Sequence, residues 1–149
     1  MTTSEFLVRA IGALEKSKPG VQVFLASDDV SRVHSRVCEL GRTVEPGEVL
    51  PIYVLSGRET ELHQRLFDPQ ERAEKGSLLP QDARIIVLLE HFDAVSRGMQ
   101  RAYAHLVDGG DPQNSLFAGS ILLLHVPVRG AHDVIEPGTL DRGIWWAVE

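Results

Sequence analysis

Arg84-Ile85-Ile86-Val87-Leu88-Leu89-Glu90-His91-Phe92-Asp93 is the stretch whose reading decides the fold. Ile85 to Leu89 are apolar without alternation, so a strand built from them buries both faces. The run is too short for a buried helix, and its β-branched residues favour a strand. It stops abruptly at Glu90-His91, polar groups that belong at a strand end. A strand of this kind sits in a parallel sheet between two helical layers.

The flanking sequence repeats the pattern. Downstream, Asp93 is the expected cap of a helix carrying Val95, Met99, Ala102, Tyr103 and Leu106 on one face. Asp108-Gly109-Gly110-Asp111-Pro112 ends that helix, and Ser120 to Val128 forms the next apolar strand. Glu136-Pro137-Gly138 breaks the chain before a last strand, Ile144 to Val148, whose Trp145 and Trp146 point to opposite sides. Upstream, Val49 to Leu55 reads as a strand after the turn Glu45-Pro46-Gly47-Glu48, with Pro51 favouring its start or a sheet edge. Arg58 to Phe67 reads as helical, and the polar run 68–82 as a mobile loop with some helix. Val21 to Ala26 is a further buried strand. Asp28 or Asp29 caps the helix after it, whose Val30, Val33, Val37 and Leu40 line one face and whose Gly41 is the expected C-cap. Residues 1–18 hold an N-terminal helix over Ser4 to Lys16, capped by Thr3 or Ser4 and stopped by Lys18-Pro19-Gly20. The expected architecture is α/β: a three-layer αβα sandwich with a mostly parallel central sheet, forming a single domain over 1–149.

Composition narrows the function classes. The 149 residues are 43% hydrophobic and 24% charged, a globular balance. With 15 Lys+Arg against 21 Asp+Glu, the net charge of −6 argues against specific or bulk nucleic-acid binding. The lone cysteine, Cys38, allows no internal disulfide and no cysteine-based zinc cage, and reads as a small core residue of its helix. No apolar run approaches the ~18 residues of a membrane span, and Met1 to Glu5 shows no basic leader, so a cytoplasmic setting is expected.

In parallel α/β sheets, ligands bind where the strands' carboxyl ends meet the following loops. The groups there are Ser27, Asp28 and Asp29; Ser56, Gly57 and Arg58; Glu90, His91 and Asp93; and His125 to Arg129. A phosphate loop needs glycines, so that N–H groups can wrap phosphates, and a lysine. Ala26-Ser27-Asp28-Asp29 has neither and sets two carboxylates at a helix N-terminus. They satisfy that helix end and repel phosphate. Glu90, His91, Asp93 and His125 could together form a metal-assisted hydrolytic cluster, or be ordinary strand-end polar groups. His34, His63, His105 and His132 show no ligand spacing and read as surface or half-buried histidines. Arg142, in a short turn before the last strand, suits contact with a neighbour's phosphates, or pairs at the surface with Asp141.

The order of these pieces resembles the αβα core of an AAA+ ATPase, particularly the Clp and torsin branch. Leu88-Leu89-Glu90-His91-Phe92-Asp93 sits where that family's Walker B stretch belongs. Glu136-Pro137-Gly138-Thr139-Leu140-Asp141-Arg142 is similar to its arginine-finger segment. The departures matter as much: no Walker A loop stands between Val23 and Val30, His91 occupies the catalytic Glu position, and Val126-Pro127 replaces the sensor 1 polar residue. With these losses the chain resembles the luminal AAA+-like domains that activate torsins, and more weakly the delta subunit of bacterial clamp loaders. The first resemblance would bring an endoplasmic-reticulum or perinuclear setting. It implies a subunit with no bound nucleotide, cofactor or metal, a degenerate site at Ser27, Asp28, Asp29, Glu90 and His91, and an AAA+ ATPase or a self-assembly as partner. Arg142 would be the finger, with Arg129, Trp145 and Trp146 at the interface. The alternatives are a scaffolding α/β domain and a small metal-assisted hydrolase.

Overall fold

The computed structural model describes residues 1–14, 21–43, 51–68, 70, 74, 85–107, 121–140 and 143–149. The elements run α1 (Thr3–Leu14), β1 (Val21–Ala26), α2 (Val30–Thr43), β2 (Ile52–Ser56), α3 (Thr60–Phe67), β3 (Ile86–Glu90), a 3-10 turn (Phe92–Ala94), α4 (Arg97–Val107), β4 (Ile121–Val126), α5 (Ala131–Val134), α6 (Pro137–Leu140) and β5 (Ile144–Ala147). The turns expected at 45–48 and 108–112 lie outside the described residues, as does most of 68–82.

The five strands form one sheet in the order β2-β3-β4-β1-β5, and every pairing is parallel. The sheet is covered on both faces, as the unbroken apolar runs require. Val23, Leu25, Ile86, Leu88, Ile121 and Leu123 face a layer built on Leu7 of α1 and Val33, Val37 and Leu40 of α2. Phe24, Val87, Leu89, Leu122 and Leu124 face the other, against Phe92, Val95, Tyr103, Ala131 and Ile135. Strand alternation alone sorts these residues into two cores. β2 and β5 are the sheet edges, and for β2 an edge is one of the two placements that Pro51 favours.

Several local expectations shift. The first helix is capped by Thr2, whose Oγ1 accepts from the Glu5 N–H (3.1 Å) while the Glu5 carboxylate accepts from the Thr2 N–H (3.3 Å), a reciprocal capping box. α2 runs through Gly41 to Thr43, so Gly41 is not its C-cap. Asp93 is not a helix cap either: it lies in the 3-10 turn, and α4 starts after Ser96, whose Oγ faces the Met99 N–H at 3.4 Å. Cys38 is exposed, because Val33, Val37 and Leu40 already fill the buried face of α2.

The last strand is anchored from both sides. Trp146 stacks on Phe6 of α1 with centroids 4.2 Å apart, and its Nε1–H donates to Thr3 Oγ1 at 3.0 Å. Trp145 packs instead on Phe24, in the other layer, at 5.9 Å. The Glu149 carboxylate accepts from the Thr3 N–H and hydroxyl, which hold it below the usual carboxylate range. Gly143 admits β5: a Cβ there would lie 2.3 Å from the Phe24 ring.

Leu123 lies fully buried on the central strand β4. Leu123→Ala is expected to destabilise the fold by about 2–5 kcal/mol, read as a lower urea midpoint with an unchanged slope.

Candidate functional site

At the carboxyl edge of the sheet, each strand hands its last backbone groups to a neighbour. β4 lies between β1 and β3, and its His125 bridges both. Its Nδ1 accepts from the His91 N–H at 3.0 Å, which leaves the ring proton on Nε2 to donate to the Ser27 carbonyl at 2.9 Å. The ring is 5% exposed, so both nitrogens are spent inside the protein.

The β1–α2 connection is closed by its own side chains. Ser27 N–H continues the ladder to the Val126 carbonyl (3.1 Å), and Ser27 Oγ accepts from the Asp29 N–H (3.1 Å). Asp29 Oδ1 accepts from the N–H groups of Ser31 (3.0 Å) and Arg32 (3.3 Å), so Asp29 is the α2 cap. Asp28 turns away and accepts from the Val128 N–H at 3.2 Å, tying this connection to the segment after β4. The first-turn donors that a phosphate would use already have a carboxylate partner.

The β3 end is strained. His91 has φ 54° and ψ 50°, and among the described residues it is the one non-glycine with positive φ. Three contacts hold it there. Its N–H reaches His125, its carbonyl accepts from Ala94 N–H at 2.9 Å, and Gly57 packs against that carbonyl so closely that a Cβ would sit 2.0 Å away. Gly57 N–H in turn donates to the Glu90 carbonyl at 2.7 Å. Left-handed backbone costs a residue with a Cβ roughly 1–2 kcal/mol. The half-buried imidazole of His91 meets the His125 ring edge to face at 5.2 Å. Burial holds it below the ordinary histidine range, helped by the charge of Arg58 and by His125. Glu90 points to α2 and pairs with His34 Nδ1 at 3.1 Å.

The expected site residues therefore separate. Ser27, His91 and His125 form one hydrogen-bonded crest, with Asp28 and Asp29 alongside. Glu90 faces His34, and Asp93 belongs to the 3-10 turn. No group of three or more metal-ligating side chains converges among the described residues. The metal-assisted cluster of Glu90, His91, Asp93 and His125 is thus corrected: His125 has no free nitrogen for an ion, and Glu90 is directed to another helix. Arg129 is exposed after β4. Arg142 and Asp141 lie outside the described residues. His63, read as surface or half-buried, is 2% exposed and hydrogen-bonded beneath the crest. A polar residue three places before Leu66 on a short amphipathic helix was the available signal, and it cannot be told from a surface position without the fold.

The segment leading towards Arg142 is held by buried Gln100. Its Nε2 donates to the carbonyls of Val95 (2.8 Å) and Val134 (3.1 Å), and its Oε1 accepts from the Glu136 N–H (2.7 Å). Glu136 then caps α6 through the Thr139 N–H (2.7 Å) and hydroxyl (2.8 Å), contacts that hold its carboxyl below the usual range. The chain break expected at Glu136-Pro137-Gly138 is thus a capped helical turn.

No protein-family model and no curated protein matches this chain. Solved structures do match in fold. A DNA polymerase III gamma subunit-related protein from Thermotoga maritima superposes with TM-score 0.58 at 14% identity, over 98% of this chain and 45% of that one. Drosophila ORC bound to GC-rich DNA and Cdc6 gives 0.62 at 11% identity, over 98% of this chain and 28% of that one. ORC bound to poly(dA/dT) DNA and Cdc6 gives 0.62 at 12% identity, over 99% and 28%. The chain has an AAA+-like fold. It spans less than half the length of each of these structures. Their names lie on the clamp-loader and initiator side of the AAA+ fold, not with the torsin cofactors. No described helix is long and apolar enough to cross a membrane.

Two substitutions test the crest. His125→Phe keeps a ring but orphans the Ser27 carbonyl and the His91 N–H, so a loss of about 2–5 kcal/mol is expected by chemical denaturation. His91→Gly relieves the left-handed backbone and is expected to raise stability by about 1 kcal/mol in the same assay.

Proposed function

We propose that this chain is an AAA+-like subunit that works without nucleotide of its own, docking on an active ATPase or on other AAA+-like subunits. The observation that carries the reading is the β1–α2 connection. There the Asp29 carboxylate occupies the helix N-terminus that a nucleotide phosphate would need, on a turn without glycine or lysine. His125 locks the same connection to β3 and leaves no loop free to wrap a phosphate chain.

The fold neighbours support one kind of assembly. ORC bound with Cdc6 is a multi-protein complex on DNA, and the other neighbour is a polymerase III gamma-related protein. These favour the clamp-loader resemblance over the luminal torsin cofactors. A partner ATPase of the clamp-loader or initiator type fits best. Within this reading Arg142 is the residue offered to the partner's nucleotide. It stands two residues beyond α6, whose start is fixed by Gln100 and Glu136. Arg suits this role, being always charged and forked to match phosphate oxygens. Exposed Arg129 and Trp145 are the further residues offered to the partner, whereas Trp146, stacked on Phe6 and bonded to Thr3, serves the fold. A scaffolding domain is the second reading. The exposure of Ile144 (44%) and Trp145 (41%) on edge strand β5 favours it, since apolar contact alone would then serve.

Calorimetric titration with magnesium-ATP and magnesium-ADP is expected to give no binding heat; micromolar binding would overturn the reading. With a partner ATPase in hand, addition of the chain should raise its turnover. Arg142→Ala should lose that stimulation by roughly tenfold or more while still co-eluting with the partner. Equal stimulation by the variant would leave the scaffolding reading in place.

A further inference from the structure

Inside its apolar run β1 carries one polar side chain. Gln22 is 3% exposed and, by strand alternation, shares the face of Phe24 and Ala26. Its Nε2 donates to the Thr139 carbonyl at 3.3 Å, near the end of α6. Its Oε1 is buried and receives no hydrogen bond among the described residues. Turning the amide over gives no remedy, because it would set that oxygen against the Thr139 carbonyl. A buried acceptor without a donor costs stability. An apolar side chain would suit the strand better, so the hold on Thr139 is what the glutamine adds.

Gln22 lies under both described ends of one turn. Thr139 is fully buried, with its N–H and hydroxyl bonded to Glu136 and its carbonyl to Gln22. α6 is therefore tied to α4 at its start, through Glu136 and Gln100, and to β1 at its end. Gly143 comes down on the same face of β1: a Cβ there would lie 2.3 Å from the Phe24 ring and 3.4 Å from Gln22 Nε2. In the sequence Arg142 falls between these two anchored residues.

We propose that Gln22 is a positioning residue for Arg142. By fixing the end of α6 on β1 it gives the turn from Thr139 to Gly143 one departure point, and Arg142 one direction. The proposal rests on the reading of Arg142 as the residue offered to a partner's nucleotide. Gln22 is buried and meets no partner; it acts through Thr139. An arginine carried between two fixed ends needs little further ordering when it meets a phosphate. One on a loose turn loses part of its binding energy to that ordering.

Gln22→Met tests this on the full chain, since it keeps the volume and removes both polar atoms. It exchanges an orphan oxygen on Gln22 for one on Thr139, so the urea midpoint is expected to stay nearly unchanged. Backbone nitrogen relaxation by NMR reads the turn. In the wild type the amides of Asp141 and Arg142 should have order parameters of about 0.85, as in a strand. In Gln22→Met they should fall below about 0.6, with 86–90 and 121–126 unaltered. Gln22→Asn, whose amide is too short to reach Thr139, should loosen the turn likewise. With a partner ATPase in hand, Gln22→Met should cut its stimulation several-fold at unchanged docking. A turn disordered in the wild type, a turn left ordered in both variants, or a midpoint that falls as the turn loosens would each overturn the positioning role. The reading beneath it fails separately, by an Arg142→Ala variant that stimulates as well as the wild type.

Discussion

A parallel sheet buried on both faces leaves its backbone one difficult place: the carboxyl ends of the strands, where N–H and C=O groups leave the ladder before reaching water. Here a single imidazole meets that constraint. His125, on the middle strand, reaches to the strands on either side, donating to one carbonyl and accepting one amide. An imidazole is suited to this because it offers a donor and an acceptor at opposite corners of one rigid ring. The other features of the edge build on that staple. The β1–α2 connection is short because Ser27 is tied down, and His91 is held left-handed because its amide is.

The crest is accordingly rigid and occupied by the protein itself. In this chain the donors at the start of α2 go to Asp29, and Glu90 goes to His34. The strain at His91 is balanced by Gly57 and Ala94 rather than by any ligand. The polar groups described at this edge satisfy one another. The capped Glu136–Leu140 turn is the second rigid feature. Buried Gln100 joins it to α4 and fixes where the following residues set out.

Much of the fold was legible because apolar runs and helical stripes are local signals. β1 matches its apolar run to the residue, and β3, β4 and β5 match theirs within a few, since such a run marks a strand even where a single polar residue, Gln22 or His125, stands inside it. Helix starts were less legible. Thr2 rather than Thr3 or Ser4 caps α1, and Ser96 rather than Asp93 precedes α4, because several capping residues stand in a row and packing selects one. Cys38 lies outside the core because a stripe of three residues, Val33, Val37 and Leu40, already saturates the buried face of α2. His125 was singled out correctly as a strand-end histidine but assigned to a cluster. Which of its neighbours lies within reach depends on strand order, and strand order is not periodic information.

The sequence by itself determined the class: buried strands alternating with amphipathic helices admit little other than a parallel αβα sandwich, and a connection without glycine or lysine already argues against a phosphate loop. Only the tertiary structure decided the partners: that β4 falls between β1 and β3, that His125 therefore spans Ser27 and His91, and that His63 is buried against Tyr103. The physical reason is range. Burial and periodicity are written residue by residue along the chain. A side chain's hydrogen bond to a group 34, 40 or 98 positions away exists only once the sheet has set which strands are neighbours.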